Sequence, residues 1–265
     1  MSNVDRTDLG RAAVFGMKAG EKTAGAGIPL VAFTLVLVFL LLGGCSSRAA
    51  LELDDDRSGA ARVVVDLDPV FVSYFRDLSG SIGAGEDTPV FDLPAIRARF
   101  DQEPALILEQ ARLPAQGRLE LTFTFIDLTT LAADDRLTRI LDFEPSGDSG
   151  GVLTIRLTRG EVPYLLSLAG LDEGSPIEYL LPPTGGEMSS EEYRDYLTWA
   201  LEEYASPGRL RRVLDSAALI VTVETPQPLD RVVNGSRPEA SRATFRIPLL
   251  GLLTGETEEE YRLTY

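Results

Sequence analysis

The sequence has no histidine in its 265 residues, one cysteine (Cys45) and two lysines, Lys18 and Lys22. Histidine supplies most general bases, lysine forms Schiff bases, and cysteine thiolates act as nucleophiles or metal ligands. None of these three residue types occurs after Cys45. Carboxylate, hydroxyl and guanidinium groups are left, and we therefore expect no enzyme activity, no cofactor and no metal site.

Basic residues are also scarce. The formal net charge is −16, and residues 45–265 alone carry −17, because the first 44 residues hold four basic and three acidic side chains. A surface of this sign is repelled by nucleic acid and by anionic lipid headgroups. The composition predicts an acidic exoplasmic domain with no nucleic-acid partner, and it argues against close association with anionic headgroups.

The N-terminal segment has the pattern of an export signal. An apolar run, Ile28–Leu42, is followed by Leu42-Gly43-Gly44-Cys45. Basic residues precede the run at Arg6, Arg11, Lys18 and Lys22. A cationic segment, an apolar core and small residues before the cut define a secretory signal, and a cysteine at the cut makes it a bacterial lipobox. We predict cleavage between Gly44 and Cys45, removing residues 1–44, and a true start at Met17 would give a signal of ordinary length.

Cys45 is then the first mature residue and carries the membrane anchor. Its diacylglycerol and acyl chain would hold the protein stably on a membrane, with residues 45–50 as a lipidated tether. An uncleaved transmembrane helix over Ile28–Gly44 is the alternative, which Pro29 and the placement of the cysteine disfavour. The expected location is the cell envelope, on the outer face of the inner membrane or on the outer membrane.

A hairpin followed by a short helix recurs through residues 51–265. In the first unit, Leu51–Leu53 pairs with Ala61–Leu67, where apolar and polar residues alternate, and a helix begins at Pro69. Further units are predicted to begin at Leu106, Ile140 and Leu219. The pattern predicts one α+β domain: a curved antiparallel sheet of ββα units, with helices on one face or closing its ends.

The longest predicted helix follows the capping box at Ser189 and carries an aromatic stripe. Tyr193 and Tyr196 lie on its apolar face, and Trp199 falls at the edge of that face. Trp199 and the Pro-rich segment around Leu181 are predicted to line the mouth of a cavity between helix and sheet. The candidate ligand-binding residues are therefore Tyr196, Trp199 and Leu181.

Three short motifs are typical of turns as well as of functional sites. Gly147–Gly151 reads GDSGG, as at the nucleophile of chymotrypsin-like proteases, but a chain without histidine lacks the base, so a turn is expected. For Asp54–Asp56 a Ca²⁺ site is the alternative to a solvated turn. Asn234–Ser236 is a glycosylation sequon, but Asn-Gly is also a strong turn signal and we predict a turn.

Residues 222–248 combine a strand, the Asn234-Gly235 turn and a terminal Phe245-Arg246-Ile247-Pro248 segment. This pattern resembles the LppM-type lipoprotein domain of actinobacteria. The resemblance implies an acylated, envelope-anchored α+β domain, for which binding of envelope lipid or glycolipid has been proposed, and it carries over no catalytic residue. The family's downstream transmembrane segment has no counterpart in the sequence. The leader is equally similar to those of uncharacterised spirochaetal lipoproteins.

Three hypotheses of function follow from these patterns. The first is a non-enzymatic, membrane-anchored lipoprotein that binds an envelope lipid or another amphiphilic ligand. The second is a structural or assembly partner of another envelope protein. The third is a carboxylate-dependent hydrolase, for which the spacing of the acidic residues indicates no particular pair.

Overall fold

The computed structural model describes residues 45–81, 90–102, 105–133, 138–162, 180–182, 188–257 and 260–265. In these ranges it contains two open sheets, with 11 strands in all, and six α-helices, which confirms the α+β class. The strands are β1 Cys45–Leu53, β2 Gly59–Leu67, β3 Leu106–Ala115, β4 Arg118–Phe125, β5 Leu141–Ser146, β6 Gly150–Arg156, β7 Ala218–Glu224, β8 Arg231–Val233, β9 Ser236–Glu239, β10 Arg242–Pro248 and β11 Glu260–Thr264. The helices are α1 Pro69–Ser81, α2 Leu93–Phe100, α3 Leu128–Ala132, α4 Ser190–Ala200, α5 Pro207–Ser216 and α6 Leu249–Thr254.

The strands form two sheets where the sequence predicted one. The large sheet has the order β3-β4-β2-β1-β7-β10-β9, and the small sheet has the order β5-β6-β11-β8. β1 pairs with β2 in antiparallel fashion and with β7 in parallel. The large sheet is therefore mixed, whereas the sequence predicted an antiparallel sheet. The reason is that β1 and β7 are each the first strand of an antiparallel pair, and these two first strands lie side by side.

β1 begins at Cys45, six residues before the start predicted for this strand. Its first residues pair with the last residue of β2, Leu67, and with the first of β7, Ala218. We call this end of the large sheet the Cys45 end. The opposite end, where residues 54–58 connect β1 to β2, is called the turn end.

One face of the large sheet is apolar and buried beneath the helices. In β4 the residues that point to this face, Leu119, Leu121 and Phe123, are fully buried. They share one core cluster with Phe71 of α1 and Leu210 of α5. Alternation with a period of two residues is what predicted this face, and the helices lie on it as expected.

The helix boundaries follow the local signals. Asp127 caps α3 by accepting hydrogen bonds from the backbone N–H groups of Thr129 and Thr130. Ser189 and Glu192 form the predicted capping box at α4. Gly255 ends α6 in the left-handed conformation, at φ = 82°, which glycine adopts without steric cost.

The ββα pattern is present where the structure describes it. β1–β2–α1 and β3–β4–α3 follow it directly, and β7 and β10 pair ahead of α6. The helix predicted around Tyr164 and Leu168 lies outside the described residues. Asn234, at φ = 57°, links β8 of the small sheet to β9 of the large sheet, so this turn connects two sheets and does not close a hairpin. No helix in the described ranges is both long and apolar enough to cross a bilayer.

Candidate functional site

The second face of the large sheet carries a groove. Even-numbered residues of β1, β2 and β7 point away from the core, and the space above them has a volume of about 680 Å³. Strand register sets its floor, because Ala50 lies beside Arg62 and Thr222, while Arg48 lies between Val64 and Ile220. The full lining is Arg48, Ala49, Ala50, Leu51, Glu52, Arg62, Val64, Arg118, Ile220, Thr222, Glu224, Pro238, Arg242 and Thr244.

A buried carboxylate organises one side of this face. Glu120 of β4 is 6% exposed and accepts hydrogen bonds from Arg112 Nε at 2.9 Å and Arg118 Nε at 3.0 Å. Arg62 Nη2 lies 3.6 Å from the same carboxylate. The hydrogen bond from Arg112, supported by Arg118, lowers the pKa of Glu120 although burial opposes this. Glu120 therefore stays ionised and holds the guanidinium groups in place.

Arg48 lines the groove and has no ion-pair partner among the described residues. Its side chain is exposed and makes no hydrogen bond or ion pair with any residue that the structure describes. Its neighbours in register, Val64 and Ile220, are half-buried and apolar. This arrangement offers a guanidinium group beside an apolar floor, which suits the anionic head and the hydrocarbon part of an amphiphile.

The turn end of the groove is acidic. Arg242 Nη2 donates to Glu224 Oε2 at 2.9 Å, and Arg242 also pairs with Glu239. The hydrogen bond from Arg242 to Glu224 raises the pKa of the guanidinium group. Glu52, which lies opposite Glu224 in register, is exposed and has no partner among the described residues. An anionic ligand is therefore favoured at the Arg48 side and repelled at the turn end.

A second depression, of about 580 Å³, lies between α2 and the edge strand β3. Its lining includes Arg97, Phe100 and Ile107, and Ile107 is 52% exposed. Arg97 Nη2 is committed to the carbonyl oxygen of Ala111 at 3.1 Å. The lining also holds the carboxylates of Asp101 and Glu109, which makes the depression a weaker candidate for an anionic ligand than the groove.

The predicted ligand-binding residues lie elsewhere. The ring of Tyr196 stacks on that of Tyr193, with centroids 6.3 Å apart, and its centroid lies 6.2 Å from that of the Trp199 ring. Trp199 is 66% exposed, and the Tyr193 hydroxyl donates to the carbonyl of Leu180, the residue before Leu181. The three predicted residues therefore lie around one aromatic cluster on α4, and none of them is part of the groove lining.

The other motifs are positioned as turns. Residues 147–149 connect β5 to β6, Ser149 Oγ accepts from the side-chain amide of Gln227, and Arg57 Nη2 donates to the Gly147 carbonyl at 2.8 Å. In the β1–β2 turn, Asp56 Oδ1 accepts from the Ser58 backbone N–H at 3.0 Å. Within the described ranges, no three acidic or cysteine side chains converge as metal ligands would.

The groove was not predicted from the sequence, although part of its signal was visible. Alternation in β2 identified Arg62, Val64 and Asp66 as the outward positions. The sequence did not show that β1 continues back to Cys45 or that β7 pairs with it. Without these two facts, Arg48 and Ile220 cannot be placed side by side.

Comparison with known proteins gives one distant likeness. The NMR structure of the folded domain of Mycobacterium tuberculosis LppM superposes with a TM-score of 0.39 and 12% identity, covering 84% of this chain and 89% of that one. No protein-family profile matches the chain, and no curated protein matches it. A superposition this distant establishes neither a ligand nor an activity.

Proposed function

We propose that this protein is a non-enzymatic lipoprotein of the bacterial cell envelope, whose domain binds an anionic amphiphile in the groove of the large sheet. The lipobox around Cys45 supports the anchor and the exoplasmic location. It is compatible with the outer face of the inner membrane and with the outer membrane. The groove supports the binding role.

The observation that carries the proposal is the guanidinium group of Arg48, which lies between two apolar side chains and has no partner among the described residues. A charge-assisted hydrogen bond to an anionic head contributes about 1.5–3 kcal/mol. Each methylene group that leaves water for the floor of Ala50, Val64 and Ile220 adds about 0.8 kcal/mol. Together these terms favour a ligand with one anionic group and a short apolar segment over a purely polar anion.

A non-catalytic role agrees with the lowered pKa of Glu120, the carboxylate beside the groove. A general acid needs a carboxyl group whose pKa is raised. Hydrogen bonds from Arg112 and Arg118 instead lower the pKa of Glu120. We therefore assign Glu120 to positioning the arginines.

Native mass spectrometry of residues 45–265 carrying Cys45→Ser, produced in a bacterial periplasm, tests the binding role. We expect an adduct with the mass of an anionic amphiphile, released by organic solvent. Arg48→Gln should lose the adduct, while the matched control Arg231→Gln should retain it, because Arg231 lies on β8 of the small sheet. A bare mass for the folded parent protein would contradict the proposal.

A second candidate, assembly with another envelope protein, is favoured by Trp199. This side chain is 66% exposed and adjoins Tyr196 on α4. Exposed tryptophan is enriched among the residues that dominate protein–protein interfaces. Crosslinking in the native envelope tests this role: a partner captured by the parent chain and lost in Trp199→Ala supports it, and equal capture by both contradicts it.

A further inference from the structure

Arginines without carboxylate partners gather at the Cys45 end of the large sheet. Arg48 and Arg212 make no hydrogen bond or ion pair within the described ranges, and Arg246 donates to the Ser216 carbonyl at 3.4 Å. Arg48 and Arg246 both lie beside Ile220 in register, on opposite sides of β7. With two strand spacings between them, their Cα atoms are about 10 Å apart.

Arg212 lies on helix α5, which is attached to the same end of the sheet. Arg209 near its start pairs with Asp68 at 3.1 Å, and Asp68 directly follows the last residue of β2. The last turn of α5 leads through Ala217 into β7. The Ala217 carbonyl oxygen accepts a hydrogen bond from the Leu249 backbone N–H at 3.1 Å. Both ends of α5 are thus attached to the Cys45 end, which places the exposed Arg212 there.

The strand itself fixes the distance to the anchor. β1 runs from Cys45 without an intervening linker, and Ser47 is fully buried. At about 3.3 Å per residue, Arg48 lies about 10 Å along the strand from Cys45. An acyl group on Cys45 therefore brings this end of the sheet, and no other, within reach of the lipid headgroups.

We infer that the Cys45 end docks on an anionic bilayer surface, with Arg48, Arg212 and Arg246 contacting the lipid headgroups. The inference deepens the proposed function, because it rests on acylation of Cys45. The net charge of −17 argued against such contact, but the local charge at the anchored end decides it, since screening in salt limits the reach of the distant carboxylates to about 10 Å. Docked in this way, the groove has its cationic side next to the bilayer, where an anionic amphiphile would enter.

The test uses the single cysteine of the chain. Residues 45–265 are coupled through the Cys45 thiol to a maleimide lipid in nanodiscs of phosphatidylcholine, with or without phosphatidylglycerol. A spin-labelled headgroup lipid then broadens the amide NMR signals of the nearest residues. With phosphatidylglycerol we expect broadening at residues 116–117 and 216–217 and at Arg246 and Ile247, and we expect salt to reduce it.

Charge variants decide between docking and simple tethering. Each of Arg48→Gln, Arg212→Gln and Arg246→Gln should lower the docking equilibrium constant about fivefold. The matched control Arg231→Gln should leave it unchanged. Equal broadening with and without phosphatidylglycerol, or broadening centred on residues 54–58, would overturn the inference.

Failure of docking and failure of the proposed function remain distinguishable. The maleimide coupling does not depend on acylation in the cell. Intact mass of the protein extracted from bacterial membranes measures acylation of Cys45 separately. An unmodified Cys45 refutes the lipoprotein proposal whatever the nanodiscs show, whereas an acylated Cys45 with random orientation refutes the docking inference alone.

Discussion

The two ends of the large sheet are built from the same strands but carry opposite charge on the open face. At the Cys45 end, arginines outnumber carboxylates; they are Arg48, Arg112, Arg118 and Arg246, against Asp66 and Glu120. At the turn end the balance reverses, with Arg57, Arg62 and Arg242 against Glu52, Glu224 and Glu239 and the aspartates of residues 54–56. Net charge alone therefore does not describe how charge is distributed on the open face.

The buried faces of the two ends do not differ in this way. Leu219 at the Cys45 end is 0% exposed, and Leu53 at the turn end is 5% exposed. Both belong to one core cluster. Stability is thus shared along the sheet, while the open face separates an end suited to anions from one that repels them.

The largest effect is expected on the buried face, where the two ends should respond alike. Leu219→Ala and Leu53→Ala each remove buried methyl groups and leave a cavity, so each should lower the free energy of unfolding by about 2–5 kcal/mol. Urea denaturation followed by circular dichroism measures both. A loss confined to one end would show that the core does not extend evenly along the sheet.

The next effect separates the ends through ligand binding. Arg48→Gln should weaken binding of dodecyl phosphate at least tenfold, because a charge-assisted hydrogen bond is lost beside the apolar floor. Isothermal titration calorimetry measures this, with the uncharged dodecyl maltoside as the ligand control. Arg231→Gln should bind dodecyl phosphate as tightly as the parent. If Arg48→Gln also binds it as tightly as the parent, the ligand binds outside the groove.

A smaller and pH-dependent effect is expected at Glu120. The hydrogen bond from Arg112, with that from Arg118, lowers the pKa of this carboxyl in the folded state, so ionised Glu120 stabilises the fold above its unfolded pKa, about 4.3. This contribution is lost as the pH falls through the lowered folded-state pKa. Glu120→Gln should therefore be less stable than the parent at pH 7, and the difference should shrink on acidification.

Urea midpoints at pH 7 and below pH 4 test this dependence. Glu109→Gln is a matched control, because Glu109 is an exposed glutamate on the neighbouring strand β3. A constant difference between the Glu120 variant and the parent at all pH values would mean that the ionised form contributes nothing.

The smallest effect is expected at the turn end. Asp55 is exposed and makes no hydrogen bond or ion pair with the described residues. Asp55→Asn should not change the urea midpoint measurably, and adding Ca²⁺ should not raise the thermal midpoint of the parent protein. A Ca²⁺-dependent rise that Asp55→Asn abolishes would restore the calcium alternative for residues 54–56.

Local signals predicted much of the fold. Alternation in β2 and β4, the cap at Asp127 and the capping box at Ser189 gave elements of the correct type, since each depends on interactions within a few residues. The division into two sheets and the parallel pairing of β1 with β7 were not predicted, because strand order depends on contacts between distant segments. Contacts between distant segments also decide which residues line a groove, and Tyr196, Trp199 and Leu181 are not part of this lining. Their role in binding stays a prediction.

By itself the sequence determined the α+β class, the apolar faces of β2, β4 and β6 and the capping residues, all of which are read from neighbouring residues, while the lipobox at Cys45 stays a prediction. Only the tertiary structure decided that β1 starts at Cys45 and that Arg48, Arg212 and Arg246 lie at the same end of the large sheet. Those residues lie on three separate elements. Electrostatic potential adds over groups that are close in space, and closeness in space between distant segments is set by packing.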